Sequence, residues 1–98
     1  IHSKEKTTKE IFEFASKFRK KFSSVPLVCV PSTYNTVREN NLIAKKFNIV
    51  IYANHLFRSA YPAMEKTARE ILKYGRSKES DKNLISIKEI LKLIPGTD

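Results

Sequence analysis

Two short runs of the chain are apolar at every position, with no alternation of polar and apolar residues. They cover residues 27–30 and 49–53, and prolines bound the first run at Pro26 and Pro31. A strand with this pattern is apolar on both faces, which is typical of a parallel sheet covered by helices. The pattern therefore predicts two short, buried, parallel strands.

Apolar residues recur every three or four positions in the segments around these strands, which indicates amphipathic helices. Three capping-box sequences predict helix starts, at residues 7–10, 36–39 and 86–89. The second helix is predicted to run for about ten residues and to end near Lys46. A longer helix carries an apolar stripe from Phe57 to Leu72 and stops at Gly75. Pro62 within it predicts either a kink or a separate lead-in turn.

The predicted order is helix, strand, helix, strand, helix, helix, which is the order of an α/β protein with parallel strands. Residues 76–83 form a polar linker before the last helix. The three helices beside the strands cannot cover two strands that are apolar on both faces, so strand edges and one sheet face stay open. The sequence therefore describes part of a larger sheet, or a chain that is completed by a partner.

The composition suits one small domain of 98 residues with 41% hydrophobic residues. No apolar run approaches the roughly 20 residues of a membrane helix, and no signal-peptide pattern opens the chain. Cys29 is the single cysteine, so an internal disulfide is impossible and we expect a cytoplasmic location. The chain begins without Met, and we expect a processed or truncated product.

The formal net charge of +9 suggests either a polyanion partner or a set of solvated helix faces. Lysine and arginine are mixed with glutamate along every predicted helix, and Glu13–Lys17 and Glu65–Arg69 have the spacing of i,i+4 ion pairs. This mixing favours solvated faces, so we predict no nucleic-acid partner and no membrane partner. A basic field would still attract a small anionic substrate.

Several residues could carry chemistry. Asn54 and His55 follow the second strand, where α/β enzymes build their sites, but an N-cap role for Asn54 and a local positioning role for His55 are the alternatives. Cys29 could pair with His2 or His55 as a nucleophile, although a cysteine in an apolar strand usually only packs. With two glycines in the chain, a glycine-rich phosphate loop is excluded.

Four segments closely resemble the phosphoenolpyruvate mutase family of the isocitrate lyase superfamily. Residues 1–4 resemble the end of the sixth strand of that family's barrel, residues 27–34 the seventh strand and its loop, residues 48–64 the eighth strand and helix, and residues 85–90 the terminal helix. The resemblance implies a partial TIM-type (β/α)8 barrel, made of the last two strand–helix units plus a C-terminal helix. Residues 1–98 would then be a C-terminal fragment of a barrel domain, with 76–98 as linker and terminal helix.

The resemblance implies a Mg²⁺-dependent enzyme that isomerises phosphoenolpyruvate to phosphonopyruvate, forming a C–P bond in phosphonate biosynthesis. The family's acidic residues lie on earlier strands, so we expect the isolated chain to be inactive and to bind no Mg²⁺. The alternatives are a fragment of a phosphonopyruvate hydrolase, or a small basic nucleic-acid-binding or interaction module.

The resemblance also assigns residues. His2 matches a family histidine that donates to phosphoryl oxygens, and Ser32 either holds a substrate carboxylate or caps its loop. Thr33, Tyr34 and Asn35 depart from the family pattern and receive no role. We predict no catalytic residue and no metal ligand in this chain. Because the family exchanges its eighth helix between subunits, we expect a homo-oligomer, with helix exchange as one arrangement.

Overall fold

The computed structural model describes residues 1–96 and divides into two compact units, the second of which begins at Leu56. The first unit contains α1 (Lys9–Lys21), β1 (Val28–Cys29), α2 (Glu39–Ala44) and β2 (Ile49–Val50). The second contains most of α3 (His55–Tyr74), a 3-10 helix (Lys78–Asn83) and α4 (Ile87–Lys92). Thr97 and Asp98, which end the predicted terminal segment 76–98, lie outside the described residues.

The two strands are parallel, as predicted, with Val28 opposite Ile49 and Cys29 opposite Val50. The Ile51 amide donates to the Cys29 carbonyl at 2.9 Å, so the pairing continues one residue past β2. Both strands are shorter than the predicted runs 27–30 and 49–53. In β1 the reason is local, because Pro31 has no N–H to donate and the chain turns directly after Val30.

The core of the first unit lies on one face of this two-stranded sheet. It is formed by side chains of α1, β1, α2 and the loops beside them: Ile11, Ala15, Leu27, Cys29, Tyr34, Leu42 and Phe47. Ile49 is 50% exposed and Ile51 is 43% exposed, so the prediction of strands buried on both faces is wrong for residues 1–96. This result agrees with the sequence argument that the helices of this chain leave one sheet face open.

Arg19 ties the end of α1 to the loops that enter both strands. Its guanidinium donates to the carbonyls of Phe22 and Val25, to the carbonyl of Lys46, and to the Asn48 side chain at 2.6 Å. Lys46 has a φ of 65°, a left-handed conformation that is costly for a residue with a side chain. The hydrogen bonds from Arg19 help to hold this turn in place.

Among the described residues, only the third of the three predicted capping boxes forms its N-cap hydrogen bond. The Ser86 hydroxyl accepts from the Glu89 amide at 3.1 Å at the start of α4. Helices α1 and α2 have Thr8 and Arg38 at their N-caps, and neither side chain makes a capping hydrogen bond. In addition, α2 has six residues rather than the predicted ten. Glu10 and Glu39, the acidic members of these two boxes, instead bond Ser3 and Tyr52.

The second unit is organised around α3, which is continuous over 20 residues and contains Pro62. Gly75 has a φ of 66° and donates to the Ile71 carbonyl at 2.8 Å, so its role as the helix stop is confirmed. The predicted linker contains the 3-10 helix. The Glu65–Arg69 ion pair forms at 3.0 Å, whereas the predicted Glu13–Lys17 pair does not form. In the described part of the chain, no helix is sufficiently long and apolar to cross a membrane.

Candidate functional site

The two predicted substrate-binding residues meet at one backbone atom, the carbonyl oxygen of Val30. Val30 directly follows β1, at the carboxyl end of the strand. The Ser32 amide donates to this oxygen at 2.9 Å, across a tight turn through Pro31, and His2 Nδ1 lies 3.3 Å from it. Residues that are about 30 positions apart in the sequence are thus brought to the same strand end.

The geometry determines which nitrogen of His2 carries a proton. A carbonyl oxygen only accepts hydrogen bonds, so Nδ1 must donate and therefore carries its proton. Nε2 of His2 and the hydroxyl of Ser32 have no hydrogen-bond partner among residues 1–96. His2 is exposed and Ser32 is half-buried. The Ser32 hydroxyl can donate to an oxygen-rich anion, such as a phosphoryl group or a carboxylate, and Nε2 of His2 can do so when the ring carries a second proton.

Tyr34 and Cys29 lie in the core, close to Val30. Tyr34 is 0% exposed, and its hydroxyl makes no hydrogen bond in the described part of the chain. Burial, followed by the proximity of Cys29, raises the pKa of Tyr34, and the neighbouring Val30 backbone partly offsets this rise.

The buried thiol of Cys29 is poorly suited to nucleophilic chemistry. Burial raises the pKa of Cys29, so the thiol stays protonated near neutral pH. The side chain is fully buried among apolar neighbours. These observations favour the packing role over a pairing with His2 or His55.

Asn54 and His55 make no hydrogen bond to the site residues at this strand end. His55 is the first residue of α3, and its ring packs edge-on against Tyr52 with centroids 5.6 Å apart. The Tyr52 hydroxyl donates to Glu39 at 2.7 Å, and this hydrogen bond raises the pKa of Tyr52. Neither Asn54 nor His55 bonds His2 or Ser32. For His55, the structure supports the local positioning role.

The donor atoms at this strand end do not fit a magnesium ion. Mg²⁺ binds through carboxylate oxygens, phosphates and water. Residues 30–35 and 51–54, which follow the two strands, contain no Asp or Glu. Within residues 1–96, no group of three His, Cys, Asp or Glu side chains is placed to hold a metal. The expectation that this chain alone binds no Mg²⁺ stays a prediction.

Sequence reasoning missed two residues that hold the site together. The Thr33 hydroxyl donates to the Ser3 carbonyl, and the Ser3 hydroxyl donates to Glu10 at 3.0 Å. Thr33 was given no role, and Ser3 appeared only within a resembling segment. Nothing in the local pattern signals these contacts, because the Thr33–Ser3 bond joins residues 30 positions apart.

The fold and the site together define a class of protein. Parallel strands with helices between them, and polar groups at the carboxyl end of a strand, are the arrangement that α/β enzymes use for substrate sites. This class includes many unrelated activities, so the fold alone does not identify the reaction.

No family model matches the chain, but it is similar to two curated enzymes. It is 40% identical over 94 residues to the phosphonopyruvate hydrolase of Variovorax sp. (strain Pal2), covering 95% of this chain and 31% of that protein. It is 30% identical over 93 residues to the phosphoenolpyruvate phosphomutase of Tetrahymena pyriformis, covering 95% of this chain and 30% of that protein.

Solved structures agree with these relatives. The phosphoenolpyruvate phosphomutase of Streptomyces platensis subsp. rosaceus matches with a TM-score of 0.82 and 29% identity, covering 95% of this chain and 31% of that one. A phosphonopyruvate hydrolase matches with a TM-score of 0.81 and 39% identity, covering 95% and 32%. A phosphonopyruvate hydrolase complex with oxalate and Mg²⁺ matches with a TM-score of 0.80, with the same identity and coverage.

The chain belongs to the isocitrate lyase/phosphoenolpyruvate mutase superfamily, as its resemblance indicated. It spans about a third of the length of the curated relatives that it matches.

Proposed function

We propose that this chain supplies the phosphoryl-binding edge of an active site for phosphonopyruvate or phosphoenolpyruvate. In this proposal the chain corresponds to the last two strand–helix units of a (β/α)8 barrel plus a terminal helix. The observation that carries the proposal is the meeting of His2 and Ser32 at the Val30 carbonyl. The names of the relatives support the choice of substrates.

Two reactions remain candidates, and the degree of identity favours one of them. The sequence alone led us to expect a mutase, which forms the C–P bond of phosphonopyruvate. Identity is higher to the hydrolase among both the curated relatives and the solved structures, at 40% against 30% and 39% against 29%. A hydrolase would cleave the C–P bond of the same compound, so both candidates require a site for phosphonopyruvate.

The residues of this chain would bind and orient the substrate rather than perform the bond exchange. His2 donates from Nδ1 to Val30, and a second proton on Nε2 would let the ring donate to a phosphoryl oxygen. The Ser32 hydroxyl would donate to a second anionic oxygen, on the phosphoryl group or on the carboxylate. The net charge of +9 would raise the local concentration of an anionic substrate.

The proposal is tested by comparing the isolated chain with a hybrid enzyme, using phosphorus NMR. In the hybrid, this chain replaces the matching third of the Variovorax hydrolase. We expect no turnover by the isolated chain with Mg²⁺, and turnover by the hybrid. Because the rest of the hybrid comes from a hydrolase, release of inorganic phosphate from phosphonopyruvate would show that this chain completes the substrate site. A folded hybrid without turnover would contradict the proposal.

The two site residues are tested within the same hybrid. We expect His2→Ala to lower kcat/KM by about 10–100-fold, the range set by a hydrogen bond of about 1.5–3 kcal/mol to a charged group. Ser32→Ala should cost about tenfold, at the low end of the same range, because only the acceptor of its hydrogen bond is charged. Thr36→Ala, at an exposed position of the same loop, is the matched control. A folded hybrid in which His2→Ala keeps full kcat/KM would contradict the assignment.

A further inference from the structure

The first three residues lie alongside β1 and run in the same direction. The main-chain nitrogen of Ile1 donates to the Val28 carbonyl at 2.7 Å. His2 follows with its contact to Val30, and the Ser3 carbonyl then accepts from the Thr33 hydroxyl. Successive residues of this segment thus contact successive positions on the β1 side, as an added parallel strand would.

Ser3 is the most firmly held residue of this segment. It is 4% exposed, and its hydroxyl accepts from the Glu5 amide at 3.1 Å while donating to Glu10 in the first turn of α1 at 3.0 Å. Its carbonyl accepts from the Thr33 hydroxyl. Ser3 therefore links the start of α1 to the loop after β1.

His2 itself is held weakly. Its side chain is exposed, and its contact with Val30 is long, at 3.3 Å. An exposed hydrogen bond of this length contributes little on its own, and fixing a side chain costs conformational entropy. What restricts His2 is its backbone, which is anchored at Ile1 on one side and at Ser3 on the other.

We propose that Thr33 and Ser3 are positioning residues, which hold the His2 ring against Val30 so that Nε2 is presented to the substrate. The role of Nε2 in substrate binding rests on the proposed function above. Thr33 also follows Ser32 in the chain, so a single hydroxyl fixes the backbone beside both substrate-binding residues. Glu10 contributes indirectly, because its carboxylate accepts a hydrogen bond from the Ser3 hydroxyl.

The proposal is tested on the full 98-residue chain by long-range proton–nitrogen NMR of its two histidines. We expect the wild-type His2 ring to be in the form protonated at Nδ1. Thr33→Val removes the hydroxyl at nearly constant volume. We expect it to shift the His2 signals toward those of a free imidazole. Exchange of the Glu5 amide should become about fivefold faster, the factor that corresponds to one net hydrogen bond of about 1 kcal/mol.

Controls separate positioning from general destabilisation. Thr33→Ser keeps the hydroxyl and should restore the wild-type His2 signals. Thr36→Val makes the same change at an exposed position of the loop and should alter nothing. The ring of His55, which packs on Tyr52, should stay unchanged in every variant. Ser3→Ala keeps the carbonyl that Thr33 bonds but removes the hydroxyl bonds to Glu10 and to the Glu5 amide, so it tests the other anchor of the same backbone and should also release His2.

The outcomes distinguish this inference from the proposed function. If the His2 signals in Thr33→Val and Ser3→Ala match those of the wild type, the positioning role is overturned, whatever the substrate is. If they shift and Thr33→Ser restores them, the positioning role stands. Titration with inorganic phosphate is a separate readout: a wild-type His2 ring that phosphate leaves unchanged would count against the proposed function alone.

Discussion

At the scale of single residues, one carbonyl oxygen organises the candidate site. Val30 accepts from Ser32 and His2. Tyr34 is buried nearby, and its hydroxyl has no hydrogen-bond partner among the described residues. A buried hydroxyl without a partner costs about 1–3 kcal/mol.

Replacing Tyr34 with phenylalanine should therefore stabilise the protein. We expect Tyr34→Phe to raise the free energy of unfolding by about 1 kcal/mol at neutral pH, measured by urea denaturation. Tyr52→Phe, which removes an exposed hydrogen bond to Glu39, is the control and should change stability by no more than about 0.5 kcal/mol. A clear loss of stability in Tyr34→Phe would show that the hydroxyl has a partner.

The raised pKa of Tyr34 predicts how the stability of the protein changes at alkaline pH. Burial raises the pKa of Tyr34 in the folded state above its usual value of about 10. The unfolded phenol therefore ionises first, so the contribution of Tyr34 to stability is complete below about pH 10 and is lost as the pH rises through its folded pKa. Tyr34→Phe should remove this part of the slope. Cys29, whose pKa is also raised by burial, should keep its own part, beginning near pH 9.

At the scale of helices and strands, the sequence predicted the existence of each element more accurately than the hydrogen bonds at its first turn. Both strands, their parallel direction, α1, α3, α4 and the stop at Gly75 agree with the periodicity of apolar residues. Two of the three capping boxes form no N-cap bond, and their acidic members Glu10 and Glu39 bond partners outside their own helices. The box motif describes a local preference, and these more distant contacts override it.

The capping difference can be measured with matched alanine variants. We expect Ser86→Ala to destabilise α4 by about 1 kcal/mol, because its hydroxyl caps the Glu89 amide. Thr8→Ala should leave α1 almost unchanged, since the Thr8 side chain makes no capping bond. Amide hydrogen exchange of each helix provides the readout. Equal effects in the two helices would contradict the finding that Ser86 makes an N-cap bond and Thr8 does not.

At the scale of the whole molecule, many apolar side chains of the described residues stay exposed. No residue of α3 is buried, and Leu56 and Leu72 are 86% and 84% exposed. In the first unit, β2 likewise leaves one face uncovered. Large exposed apolar patches mark surfaces that contact other protein. We propose that this chain forms a homo-oligomer in which the apolar stripe of α3 packs on another copy.

Sedimentation equilibrium at micromolar concentration tests the assembly. We expect association of the wild-type chain, and a shift toward monomer in Phe57→Asp, which places a charge within the stripe. Arg58→Asp changes the adjacent residue outside the stripe and should leave association largely intact. A wild-type chain that sediments as a stable monomer would contradict the homo-oligomer.

The candidate site could be predicted only in part, and the reason is the distance along the chain between its members. Resemblance pointed to His2 and Ser32, and the structure brings both to Val30, although their binding role stays a prediction. Thr33 and Ser3 were missed because single hydroxyl residues carry no periodic signal. Their contact becomes visible only when residues 30 positions apart are placed side by side.

The sequence by itself determined the alternation of helix and strand, the parallel α/β class and the open sheet face, since these follow from apolar periodicity and from counting the surfaces that need cover. Only the tertiary structure decided where the polar groups of residues 1–3 and 32–34 meet, and which of the predicted N-caps bonds its helix. Hydrogen bonds act over about 3 Å in space and are indifferent to separation along the chain, so no local pattern can specify them.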